Sequence, residues 1–324
     1  MSRTPLALTL VLAGTLVFVA AERAGTVTND PPGSCPATPG VTDPSRDVRR
    51  GACLFRSTTA FGQKDPRALF ASCAGCHLDA GTDQTLHAVQ FTDTSGDTVT
   101  VLRKTPNLRN VVYNVPLGWD GRHGGAPGDL ASIRNAIKSA GLAAILSPLE
   151  MQGSSSSVTN AQLDALAAFL ISRSPTAPGP EHPAPETFSQ DLLDRIAVGR
   201  AVFFGKGQCS TCHPAPFFMD NRIRTNVVNH AAQFDFSADR GAGAVGTGGE
   251  GEFKTPSLHH FYPDARPFMH NGGLGQQDGQ LFRFYQTSLG MTLTGQEQTG
   301  LHYWLQNCPK GAGRDPATLP STCF

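Results

Sequence analysis

The pentapeptide Cys73-Ala-Gly-Cys76-His77 decides how this chain is read, because the same frame returns as Cys209-Ser-Thr-Cys212-His213. Cys-x-x-Cys-His is the attachment frame of c-type haem: two thiols form thioethers to the porphyrin, and the next imidazole takes the iron. A zinc site would bring its paired cysteines close together, and a redox dithiol requires no adjacent histidine. Two covalently bound haem c groups are therefore expected, held by Cys73, Cys76, Cys209 and Cys212, with His77 and His213 as iron ligands.

Working outward, each frame sits in a similar setting. Arg67-Ala-Leu-Phe precedes the first and Arg200-Ala-Val-Phe the second. Downstream come Lys104-Thr-Pro-Asn-Leu108 and Lys254-Thr-Pro-Ser-Leu258, then Pro116 to Gly121 (PLGWDG) and Pro267 to Gly272 (PFMHNG). Each half closes on a helical pattern. Leu163, Leu166, Phe169 and Leu170 share a face between Asn160 and Arg173, with Thr159 or Asn160 as cap. Leu301, Tyr303, Trp304 and Leu305 follow a start near Thr294. The expected fold is mostly α: two cytochrome c-like haem domains related by an internal repeat. The expected division is 1–21 signal peptide, 22–59 N-terminal extension, 60–173 first haem domain, 174–186 Pro-rich linker and 187–324 second haem domain. Gly241 to Gly251 lacks the lysine and hydroxyl of a phosphate loop and reads as a flexible surface loop.

Lys+Arg and Asp+Glu both number 26 in 324 residues, so no net field argues for nucleic acid or an anionic membrane. Met1 to Ala21 has a basic start, an apolar run and small residues at its end, the pattern of a secretory signal cut after Ala21. Its apolar run is shorter than the ~20 residues of a membrane span, so membrane attachment requires that the segment be retained. Export to the periplasm would allow disulfides, and Cys35–Cys53 and Cys308–Cys323 are the expected local pairs.

The two haem frames, T-P-x-L in each half, Trp119-Asp-Gly-Arg122 and Phe268-Met-His-Asn-Gly272 together resemble the bacterial di-haem cytochrome c peroxidase family, which includes the MauG-type maturation enzymes. The resemblance spans roughly residues 60 to 310. It implies an oxidoreductase that reduces hydrogen peroxide at the N-terminal haem. Electrons would be relayed through the C-terminal haem from a small cytochrome c or cupredoxin. A MauG-like enzyme, which uses peroxide to oxidise a partner protein, is the alternative within the family. A non-catalytic di-haem electron carrier is the alternative outside it.

The resemblance also implies residue roles. Trp119 matches a tryptophan lying between the haems, where an indole splits one long electron jump into two. Glu150 matches a glutamate on the distal side of the peroxidatic haem, placed to move a proton between the peroxide oxygens. Resting members of the family often carry a second histidine on that haem; His87 and His123 are candidates here, and an open site is the alternative. The family's inter-domain calcium uses an asparagine and backbone carbonyls. That asparagine position falls on Lys104, a cation, which leaves Ala265 and Pro267 to offer carbonyls.

Three residues compete for the sixth position on the second iron: Tyr285, Met291 and Met269. The Leu289-Gly290 and Leu293-Thr294 anchor puts Tyr285 on the family's axial position. Peroxidases of the family usually have methionine there, and the MauG-type enzymes tyrosine. A thioether raises the potential, whereas a phenolate stabilises ferric and higher states.

Overall fold

The computed structural model describes residues 35, 44–65, 67, 70–174, 188–215, 217–225, 240–249, 251–258, 268–274 and 277–308. The expected signal segment, most of the linker, Ala265, Pro267 and Cys323 lie outside them. The described chain is mostly helical. Helix α1 (Pro44–Arg56) leads to a single turn, α2 (Cys73–Cys76), and a hairpin of β1 (Leu86–Thr92) and β2 (Thr98–Lys104). Then follow α3 (Leu130–Leu146), α4 (Asn160–Ser172) and α5 (Gln190–Phe204). Strand β3 (Ile223–Thr225), turn α6 (Ala242–Val245), strand β4 (Glu252–Lys254), α7 (Asp278–Leu289) and α8 (Gly295–Asn307) complete it. Both sheets are two-stranded and antiparallel, with Leu86 opposite Lys104 and Ile223 opposite Lys254. Among the described residues no helix is long and apolar enough to cross a membrane.

The expected closing helices are α4 and α8, and local chemistry starts both. Thr159 accepts from the Gln162 amide while the Gln162 side chain accepts from Thr159, and Thr294 and Glu297 make the same reciprocal pair. Each capping box satisfies two otherwise orphaned amides.

Among the described residues, most of the buried hydrophobic side chains form two clusters. Leu54, Phe55, Phe61, Ile133, Leu166 and Phe169 belong to the first, and Ile196, Phe203, Phe218, Phe284, Leu301 and Trp304 to the second. One device recurs in both. Helix α1 crosses α4 at Gly51, where an added Cβ would lie 2.0 Å from the Ala165 carbonyl oxygen. Helix α5 crosses α8 at Gly199, where it would lie 2.1 Å from the Gly300 oxygen. Four residues beyond each glycine a phenylalanine meets an aromatic on the partner helix: Phe55 with Phe169 at 5.2 Å and Phe203 with Trp304 at 4.1 Å. Helix α1 lies inside the expected N-terminal extension, yet its Leu54 and Phe55 are only 2% exposed in the first core. Cys35–Cys53 fastens the chain to it as expected. Cys308 is also disulfide-bonded.

Two features depart from the sequence reading. The hairpin from Leu86 to Lys104 was not foreseen. The glycine-rich segment is not simply a loop: its α6 turn buries Ala242 and Ala244 completely. The two meet, for the Thr94 amide donates to the Ala244 carbonyl at 2.9 Å and Arg240 pairs with Asp93 at 3.1 Å.

Gly199→Ala forces the α5–α8 crossing apart and should cost about 1–3 kcal/mol, as overpacking does. Urea titration measures it; unchanged stability would show that the close approach is not required.

Candidate functional site

Both pentapeptides open onto one cavity of about 680 Å³. Cys73, Cys76, Cys209 and Cys212 are free thiols on its wall. Burial pushes the thiols of Cys73, Cys76 and Cys209 up to about 12.

Each histidine is held by its Nδ1. That atom of His77 lies 3.2 Å from the Gly81 carbonyl oxygen, and that of His213 lies 2.9 Å from the Phe218 oxygen. A carbonyl only accepts, so Nδ1 carries the proton and Nε2 keeps its lone pair for a metal. Burial also lowers both pKa values, that of His77 to about 4, which keeps the imidazoles neutral. The carbonyls of Pro106 and Pro256 act on the two rings as well. These prolines belong to the repeated Lys-Thr-Pro-x-Leu motif, whose leucine amides bond Ala80 and Phe218 at 2.9 and 3.2 Å. Neutral, oriented imidazoles beside paired thiols fit the donor set of c-type haem.

The lysine amides of the same motif cross between the two core regions. Lys104 N–H donates to the His270 carbonyl at 2.6 Å, and Lys254 N–H donates to the Trp119 carbonyl at 2.8 Å. The Trp119 indole N–H in turn donates to the Lys104 carbonyl at 2.8 Å. Trp119 is thus fixed from both sides, 6.4 Å from the His270 ring. Phe253 stacks on His270 at 3.6 Å.

Glu150 follows the end of α3 and lines the cavity. Burial raises its pKa, opposed by a hydrogen bond from Ser147 and by Arg122 and His87. His87 sits on β1, its Nε2 2.7 Å from Asp83 and 2.6 Å from Thr85. The ligand atoms of Cys76, Asp83 and His87 lie within 4.8 Å of one another. His123 bonds Ser139 at 3.2 Å, and burial, then the Arg122 charge, depresses it to about 4. Tyr285, Met291 and Met269 all reach the cavity wall. Burial, then the Cys209 and Cys212 charges, raises the Tyr285 phenol, and Tyr285 packs against the second core cluster as Cys209 does.

Sequence reasoning missed the charges around Trp119. Asp120 is fully buried and pairs with Arg103 at 2.6 Å and Arg122 at 3.1 Å. Burial raises its pKa, but the two guanidinium charges and their hydrogen bonds outweigh this and hold it below the usual carboxylate range. Arg122 stacks over Phe91 at 4.0 Å. Trp-Asp-Gly-Arg was the available signal, since an Asp and an Arg carried into a core by a neighbouring tryptophan need partners.

No protein-family model matches the chain. Over 263 residues it is 27% identical to the methylamine utilization protein MauG of Methylorubrum extorquens, covering 72% of this chain and 67% of that protein. A crystal structure of a MauG-like protein associated with microbial copper homeostasis superposes with a TM-score of 0.53 at 17% identity, over 86% of this chain and 91% of that one. Kuenenia stuttgartiensis hydrazine synthase, in a xenon-pressurized structure, gives a TM-score of 0.51 at 17% identity, over 94% and 99%. At this identity the two structures show the fold alone.

Asp120→Asn should cost about 3–5 kcal/mol, because it removes the carboxylate that pairs with the buried Arg103 guanidinium. The depressed pKa makes the Asp120 contribution complete above the ordinary carboxylate value and lost as pH falls through the folded value. Denaturation of both proteins from pH 7 downward should therefore show the gap closing in acid; a gap independent of pH would exclude the ion pair as its source.

Proposed function

Because this chain is related to the MauG and di-haem cytochrome c peroxidase family, we propose that it is an exported di-haem oxidoreductase that consumes hydrogen peroxide. The carrying observation is the pair of Cys-x-x-Cys-His segments on one cavity, each with an anchored imidazole. On this reading residues 60–173 and 187–324 are the two haem domains, 174–186 joins them, and 1–21 directs export to the periplasm. Cys73 and Cys76 hold one haem with His77, and Cys209 and Cys212 hold the other with His213. Bound there, haem supplies redox-active iron, with one site for peroxide and one for electron storage.

The remaining roles belong to the chain. Reduction of peroxide to two waters consumes two electrons and two protons. Glu150 takes the proton from one peroxide oxygen and returns it to the other. Its raised pKa suits a group that must both accept and donate. Trp119, fixed by Lys104 and Lys254, is the electron bridge between the two sites. Asp83 and Thr85 engage His87 through Nε2, which supports the reading in which His87 does not ligate the first iron and the site is open to peroxide.

Tyr285 favours a second reading. It lines the cavity together with Cys209 and Cys212, and a phenol oxygen bound to iron there would stabilise its oxidised states. That suits a MauG-like enzyme oxidising a partner protein. A methionine ligand, Met291 or Met269, would instead suit electron uptake from a small cytochrome or cupredoxin.

Adding peroxide to the as-isolated and half-reduced protein while following the haem spectrum separates the readings. Reaction without prior reduction supports the MauG-like enzyme, and reaction only after it supports the peroxidase. Inertness in both states supports a plain electron carrier and defeats the proposal. Glu150→Gln should slow the peroxide step by roughly 10²–10⁴-fold with two haems retained. The wild-type rate should fall with acidity from a pH above the ordinary glutamate range, since the base form is lost through a raised pKa. Unchanged turnover in the variant would remove Glu150 from the mechanism.

A further inference from the structure

Lys254 ends β4 and is only 6% exposed. Its ammonium donates to the Asn114 backbone oxygen at 3.0 Å and to the Asn114 side-chain oxygen at 2.6 Å. Both acceptors are neutral, and among the described residues no carboxylate pairs with it. Three arginines on the same wall do have carboxylate partners: Arg103 and Arg122 share Asp120, and Arg224 pairs with Asp220. Burial of an ammonium beside neutral oxygens is costly, and burial is what pushes its pKa down to about 7. Two of its three N–H groups are used, and the side chain lines the cavity.

We infer that Lys254 is a binding residue for a porphyrin carboxylate, the charge partner of a haem propionate where the two core regions meet. The inference rests on the haem reading above. A haem tethered by thioethers along one edge carries its two carboxylates on the opposite edge, so each cavity occupant brings anions that need cations. An ammonium already desolvated and oriented by Asn114 meets that need with little further ordering. Its main-chain amide holds the Trp119 carbonyl, so the carboxylate would sit beside the segment that fixes the indole.

Three variants of the full-length, haem-loaded protein test this. Lys254→Gln keeps a donor to Asn114 and removes the charge, Lys254→Met removes both, and Lys254→Arg keeps the charge. Haem stoichiometry and the midpoint potentials of both haems are measured on each. A cation at the haem edge disfavours the oxidised state, so its loss should lower one potential. We expect about a tenfold change in that reduction equilibrium, about 59 mV for one electron, in the Gln and Met variants. The Arg variant should restore it, with two haems throughout. Unchanged potentials in Lys254→Gln overturn the inference, whatever becomes of the Met variant. A wild-type potential that moves with added acetate, and stops doing so in Lys254→Gln, assigns the site to a free anion and also overturns it. A wild-type chain lacking two thioether-bound haems defeats the functional reading itself, a different result from two haems with unaltered potentials.

Discussion

The repeated Lys-Thr-Pro-x-Leu segments are the constraint on which the site depends. In each, the proline carbonyl acts on a histidine and the leucine amide ties down the turn beside it. The lysine amide of the same segment bonds a carbonyl in the other core region. One stretch of five residues thus sets an imidazole and spans the junction. Main-chain atoms carry these crossing bonds, and side chains such as Lys254 to Asn114 and Asn221 to Tyr113 add others. Trp119 and His270 can occupy corresponding places on the two sides of the junction.

Charge is handled differently from place to place along the cavity. Around Asp120 the chain provides an anion of its own, one carboxylate shared by two guanidinium groups stacked on Phe91. At Lys254 it provides amide oxygens only. The first arrangement braces the hairpin against the tryptophan segment. The second leaves a buried positive charge facing the cavity.

Much of the site was legible because its signals are local. The Cys-x-x-Cys-His frames, the caps at Thr159 and Thr294 and the Cys35–Cys53 pair are all short-range patterns. The β1–β2 hairpin was hidden because one of its inward residues is Arg103, which hydropathy assigns to solvent. It is buried against Asp120, which lies beyond the strand, and against the rings of Phe91 and Phe253. Likewise Gly51 and Gly199 look like ordinary helix glycines until Ala165 and Gly300, far along the chain, come against them. The glycine-rich segment read as a loop because nothing nearby shows that Ala242 and Ala244 will be covered. Tyr285, Met291 and Met269 reach the same wall, so spacing alone does not rank them.

The enclosed thiols have a consequence for how the cysteines are kept apart. Disulfide exchange proceeds through thiolate, and a thiol pushed to about 12 is ionised in only about one molecule in 10⁵ at neutral pH. In a chain that folds before haem is attached, Cys73, Cys76 and Cys209 are therefore poor nucleophiles toward the Cys35–Cys53 bond. Thioether formation would then remove these thiols altogether, so exchange with Cys35–Cys53 is confined to a chain that has neither folded nor bound haem.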